Sequence, residues 1–208
     1  MYCILVTGIP ASGKSTIAEF LSHALHLPMI SKDRIKEDLF DLVGFQSREE
    51  KVQLGVASMN IMYHVAEQLM KGGQPFLLEN NFEKISAKGL FILLEKYGYQ
   101  AITVTLTGDY KTIYQRFLKR NNSPERHRGH VVNDCYPEKE KKAAAPIPYR
   151  HFVEGITMRG MDSFTANGPR IILDTTDFDA VDRDELVRNI LTCREEVMRC
   201  CGNNPDFI

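Results

Sequence analysis

The sequence predicts a doubly wound α/β fold, a parallel sheet with helices on both faces. Three observations carry this. Five short apolar runs alternate with longer helical patterns along the 208 residues. The runs are near-continuous in hydrophobicity, as strands buried on both faces of a parallel sheet are. The first run leads through a glycine-bearing turn straight into a helical pattern.

The elements read in order as follows. "YCILVTG" (2–8) is the first strand, and a helix over 14–26 follows it. "PMISKD" (28–33) is the second strand. A helix over 48–71 puts Val52, Val56, Met59, Tyr63, Ala66 and Met70 on one face, and the glycine pair at 72–73 stops it. "PFLLEN" (75–80), a helix over 84–97 and "AITVTLTG" (101–108) come next. The helix at 110–120 turns Tyr110, Ile113, Tyr114, Phe117 and Leu118 inward. "RIILDTT" (170–176) is the last strand, and a helix over 182–200 closes the pattern with Leu186, Ile190, Cys193, Val197 and Cys200 on one face.

About fifty residues between the fourth helical pattern and the last strand break this rhythm, and their first part is polar, charged and proline-bearing. A long irregular insertion in a compact domain is, as a rule, functional or mobile. The segment "CGNNPDFI" (201–208) reads as a frayed tail. We expect one domain over 1–208, with a lid at about 121–150.

The composition is that of an ordinary globular chain, 43% apolar and 25% charged, with a formal net charge of −1. Such a balance argues against a general nucleic-acid binder. No apolar run approaches the roughly 18 residues of a membrane span. Cys3, Cys135, Cys193, Cys200 and Cys201 make an odd count without a C-x-x-C, so reduced thiols and a cytoplasmic location are expected.

The stretch "TGIPASGKST" (7–16) fits G-x-x-x-x-G-K-[ST], with a strand before it and a helix after it. In such a loop the backbone N–H groups turn inward onto phosphate oxygens, and the helix adds its positive end. Gly8, Ile9, Pro10, Ala11, Ser12, Gly13, Lys14, Ser15 and Thr16 are therefore the candidate nucleotide cradle. Lys14 supplies charge to the β- and γ-phosphates, and the Ser15 hydroxyl is the candidate Mg²⁺ ligand. The guanine-reading [NT]-K-x-D is missing, since "SKDR" at 31–34 has the wrong order and place, so ATP is the expected nucleotide.

Asp33 stands at the C-terminal edge of the second strand, where ligands bind in such sheets. It could accept a proton from an acceptor hydroxyl, and Lys36, a turn later, could steady the acceptor. Aspartate is also a good helix N-cap, and position alone leaves both roles open. Glu79, Asn80 and Asn81 end the third strand, where they could order a Mg²⁺-bound water, contact the acceptor, or form a polar turn. Arg116, Lys119, Arg120, Arg126 and Arg128 form a basic stretch. It reads either as a solvated surface or as a source of arginines for phosphoryl transfer. His127, His130 and Cys135 have a metal-like spacing but lack a fourth ligand.

Taken together, "GIPASGKST", "SKDRIKEDLF", "LLENNF" and "LTGDYKTIYQRFLKRNNSPERHRGHV" resemble the P-loop kinases related to zeta toxins, chloramphenicol phosphotransferase and the kinase domain of polynucleotide kinase. The resemblance runs over about residues 2–176. It implies a five-stranded parallel sheet of order 2-3-1-4-5 with a lid after strand 4. It implies Asp33 as general base, Arg116 against the adenine, Arg120 on a phosphate, Arg126 reaching the γ-phosphate, and Thr175 in the loop near the base. Polynucleotide kinases carry an arginine where this chain has Lys36, and the two residues grip phosphate differently. The expectation is an ATP- and Mg²⁺-dependent transfer of phosphate to a small hydroxyl-bearing molecule. A nucleic-acid 5′ end, a sugar nucleotide acted on by a toxin-like kinase, and an ATP-gated switch with slow hydrolysis are the alternatives.

Overall fold

The computed structural model describes residues 1–140 and 146–202. The chain forms a five-stranded parallel sheet of order β2-β3-β1-β4-β5, flanked by helices. In chain order the elements are β1 (Tyr2–Gly8), α1 (Lys14–Leu25), β2 (Met29–Ser31), α2 (Lys32–Val43), α3 (Arg48–Lys71), β3 (Leu77–Glu79) and α4 (Lys84–Lys96). They continue as β4 (Gln100–Thr107), α5 (Tyr110–Asn121), α6 (Arg128–Val131), α7 (Tyr149–Arg159), β5 (Arg170–Asp174) and α8 (Arg183–Gly202). The five strands and their order match the expectation.

The central strand shows why its sequence is apolar without alternation. Cys3 and Leu5 of β1 face the core under α3 and α4, while Ile4 and Val6 face the core under α1 and α8. Both faces are dry, so every position is hydrophobic. Burial pushes the Cys3 thiol up to about 12, which makes it an inert packing residue. Reading β5 as buried on both faces needs correction. It is an edge strand that alternates, with Ile171 and Leu173 half-buried and Ile172 63% exposed.

Other expectations are also revised. The second strand is three residues long, because α2 starts at Lys32 and takes the residues from Lys32 onward into a helix. On α3 the buried stripe is Ser58, Met62, Ala66 and Met70, whereas Val52 and Val56 are 56% and 55% exposed. On α5 only Ile113 is fully buried, and Tyr110, Tyr114, Phe117 and Leu118 are half-buried. The face of α8 holds for Leu186, Ile190, Cys193 and Val197. The side chains of Cys200 and Cys201 lie outside the described residues, as do residues 141–145 of the expected lid and 203–208 of the expected tail.

The insertion after α5 is not irregular throughout, since it contains α6 and α7. Phe152, Ile156 and Met161 pack with Ile9, Ala11 and Ile113, which fixes α7 against α5 and the glycine-rich loop. Phe45, Val132 and Tyr136 pack on Phe40, and Phe45 pairs with Tyr136 in an antiparallel bridge. The α6 region is therefore seated on α2. The Lys51 ammonium of α3 ties it further by donating to the carbonyls of His130 and Val132.

Candidate active site

Strand β1 delivers the loop of residues 8–15 to the C-terminal edge of the sheet. Gly8 has φ 137°, and a Cβ there would lie 2.1 Å from the Leu106 carbonyl oxygen of β4. Only glycine fits both the conformation and the space. Gly13, at φ 93°, is the left-handed N-cap of α1, and the Phe178 ring occupies the place its Cβ would take. Lys14 is buried and donates to the Ile9 carbonyl at 2.9 Å. Burial lowers its ammonium to about 8, against the pull of Glu79. The buried Ser12 hydroxyl has no partner among the described residues. Ser15 and Thr16 present exposed side chains in the first turn of α1.

Beside this loop, Ser31 is the N-cap of α2 but makes no side-chain cap bond. Its hydroxyl donates to Glu79 Oε2 at 2.6 Å. Asp33 is the second residue of the helix, within its first turn, so its alternative reading as the N-cap is corrected by Ser31 holding that place. The Asp33 carboxylate is 49% exposed, with Lys32 Nζ at 3.4 Å. Burial works to raise its pKa, but Lys32, His130, Arg126 and Lys36 together hold it well below the usual carboxylate range. Glu79 is 4% exposed, and burial raises its pKa against the opposing pull of Lys14. The two carboxylates thus differ in kind, one open and ionised, the other enclosed.

Arg116, nearly two turns into α5, donates through its two terminal nitrogens to the carbonyls of Thr175 and Thr176. Thr175 is itself buried and donates its hydroxyl to the Thr107 carbonyl at 2.9 Å. The helix and the last-strand loop are therefore locked together at the rim of the cleft. Arg120 and Arg126 enter the same cleft, and each has a buried Nε with no acceptor among the described residues. Burial and the neighbouring Arg126 lower the Arg120 guanidinium to about 10.

The resulting cleft, about 620 Å³, gathers Pro10, Ala11, Gly13, Lys14, Ser15, Thr16, Asp33, Lys36, Glu79, Asn81, Arg116, Arg120 and Arg126. Thus most of the residues singled out by sequence converge. Gly8, Ile9, Ser12 and Thr175 stand behind the wall and shape it, while Asn80 faces a neighbouring cleft. Lys119 is exposed outside the cleft, and Arg128 is held by Glu138 through two bonds of 2.7 Å. His127 and His130 meet carboxylates of α2, Asp41 and Glu37, each at 3.0 Å. Cleft residues missed in sequence include Lys32, Arg34, Glu37, Glu83, Arg159 and Met161. The first three come from the unassigned helix α2, whose polar face gives period-3.6 spacing in retrospect. Arg159 lies at the end of α7 and carried no signal.

A family model described as an AAA domain (AAA_33) matches residues 3–135. The chain belongs to that family. No curated protein matches this AAA-domain chain in sequence. Among solved structures, it is similar to a candidate kinase from Chloroflexus aurantiacus J-10-fl, at 25% identity and a TM-score of 0.73, with 92% of this chain and 97% of that one covered. A sugar kinase from Janibacter sp. HTCC2649 matches at 13% identity and a TM-score of 0.55, covering 93% and 94%. A gluconokinase from Sinorhizobium meliloti 1021 matches at 14% identity and a TM-score of 0.52, covering 97% and 94%. The last two likenesses concern the fold alone. The fold is that of P-loop kinases, which implies nucleotide binding. Among the described residues no helix is long and apolar enough to cross a membrane.

Proposed function

We propose that the chain is an ATP- and Mg²⁺-dependent phosphotransferase that moves the γ-phosphoryl group to a hydroxyl of a small molecule. The observation that carries this reading is the Arg120–Arg126 pair, two guanidinium groups with buried, unsatisfied Nε atoms in the cleft of the glycine-rich loop. Buried donors without acceptors are costly unless a ligand supplies the acceptors. A polyphosphate supplies them, and Lys14 and the loop N–H groups hold its other oxygens. Arg116, held from behind by the Thr175 carbonyl, would border the nucleoside end, and Lys36, Asn80 and Asn81 would border the acceptor. Ser15 would hold Mg²⁺ directly, with Glu79 or Asp33 on its waters. The ion would neutralise charge on the β- and γ-phosphates.

In the reaction the acceptor oxygen bonds to the γ-phosphorus as the bond to the β–γ bridging oxygen breaks, and ADP leaves. The hydroxyl proton passes to Asp33. Its low pKa suits it to orient the hydroxyl first and to take the proton late, as charge develops. Phosphate oxygens that satisfy Arg126 also loosen that cation's hold on Asp33. Within this reading 1–208 is one kinase domain, and the likeness to zeta toxins, chloramphenicol phosphotransferase and polynucleotide kinase rests on the quoted motifs.

The test measures ADP release from ATP–Mg²⁺ with a panel of sugars, nucleosides, sugar nucleotides, hydroxy acids, aminoglycosides, chloramphenicol and 5′-hydroxyl oligonucleotides. Stimulation by one member, with phosphate recovered on it, is expected. Asp33→Asn should abolish transfer by about 10²-fold or more while ATP still binds. Wild-type turnover in that variant would remove Asp33 from the chemistry. Phosphate released to water alone, at the same rate with every panel member, would overturn the kinase reading.

A further inference from the structure

A second cleft of about 710 Å³ opens between α3 and the start of α4. It shares Lys32, Lys36, Asn81, Glu83 and Arg159 with the nucleotide cleft, so the two are continuous at the Asp33 end. Its wall is apolar, formed by Val52, Val56, Met59 and Ile85. Val52, Val56 and Ile85 are 56%, 55% and 89% exposed there. A wall of uncovered aliphatic side chains beside a phosphate site is not what a polyhydroxylated sugar needs, because sugars are held by dense polar contacts.

The rim of the same cleft is cationic. Arg48 and Lys36 line it beside three cations already engaged: Lys32 pairs Asp33 at 3.4 Å, Arg159 pairs Glu83 at 3.3 Å, and Lys51 donates to the His130 and Val132 carbonyls and to Asn133 Oδ1. Arg48 has no ion-pair partner among the described residues. Gly55 lines the second cleft with no side chain of its own, and Lys36 Nζ lies 3.3 Å from where its Cβ would be. Asn60, Asn80 and Asn133 add amides around the apolar wall.

From this we infer that the acceptor is an amphipathic anion: an alcohol with an apolar body against Val52 and Val56 and a carboxylate or phosphate facing Arg48. The inference rests on the kinase reading for its hydroxyl, but not for its apolar body and charge. Charge complementarity selects an anion, and the apolar wall excludes neutral hexoses and plain sugar acids as the preferred ligand.

The probe is anilinonaphthalene sulfonate, an aromatic anion without a hydroxyl, titrated by fluorescence with ATP–Mg²⁺ saturating the other cleft. Saturable binding at one site is expected, weakened about tenfold in Val56→Asp and several-fold in Arg48→Glu. Circular dichroism serves as the fold control for these exposed positions. Displacement then reads the ligand class: aryl and acyl hydroxycarboxylates or nucleoside monophosphates should compete, and glucose and gluconate should not. Binding that ignores both substitutions, or displacement by glucose or gluconate alone, overturns the inference even if transfer to a sugar is found. Displacement as expected, with no phosphate recovered on any competitor, upholds the ligand class and removes the kinase reading instead.

Discussion

Ser31 gives its hydroxyl hydrogen to Glu79 across 2.6 Å and so leaves the N-terminus of α2 without a side-chain cap. One hydroxyl thereby links β2 to β3 and frees the first turn of α2 for Asp33. Ser31→Ala should cost about 1–3 kcal/mol, because it strips a buried carboxylate of its donor. The loss depends on pH in a stated direction. The folded-state pKa of Glu79 is raised, so the carboxyl favours folding when protonated and this stability fades as pH rises. The variant should therefore be nearest to wild type in acid and furthest from it at neutral pH, read as unfolding midpoints across the range.

Under the proposed function Lys14 sets the alkaline limit. Its ammonium, lowered to about 8 by burial, binds phosphate only when charged. ATP affinity should be flat below that value and fall above it by up to about tenfold per pH unit, since binding then requires uptake of a proton. Calorimetry in buffers of different ionisation heat would detect that proton. Affinity that holds constant to pH 10 would mean the Lys14 charge contributes nothing to binding.

Arg126 stands close enough to Arg120 to lower that guanidinium's affinity for its proton, and each has a buried Nε without an acceptor among the described residues. Arg126→Met keeps the apolar stem and removes the charge. Turnover should drop by about 10³-fold. The ligand-free protein should unfold at nearly the same temperature, because the loss of a buried Nε without an acceptor offsets the loss of the attraction to Asp33 and Glu37. A clear fall in the ligand-free midpoint would make Arg126 a structural residue.

Gly129 of α6 lies against the Phe40 ring, where a Cβ would come within 2.2 Å of a ring carbon. Gly129→Ala must push α6 off α2, and with it the neighbouring Arg126. Activity should fall several-fold or more, with fluorescence or hydrogen exchange showing loosening confined to the α2–α6 contact. The sheet, which shares no atoms with that contact, should be as protected as before.

How much of this was legible beforehand differs by element. The strands and the glycine-rich loop were readable because they obey local rules: apolar runs buried on two faces, and glycines forced by φ and by the Leu106 carbonyl. Helix α2 was hidden because its sequence, KDRIKEDLFDLV, buries only Phe40 completely and shows mostly charge. On α3, Val52 and Val56 were placed on one face with Ala66 and Met70, yet they line a cleft, since periodicity reports a face and not what covers it. The contributions of Arg159 and Glu83 depend on α7 folding back from far along the chain, and no local pattern encodes that.

The two unsatisfied arginines have a consequence outside chemistry. A ligand that satisfies them binds the folded chain and not the unfolded one; if it is nucleotide, as proposed, it would stabilise the fold by about 2.7 kcal/mol at a hundredfold excess over its dissociation constant. The lifetime of the protein against proteases would then follow the ATP supply. Depletion of nucleotide would remove the enzyme along with its substrate.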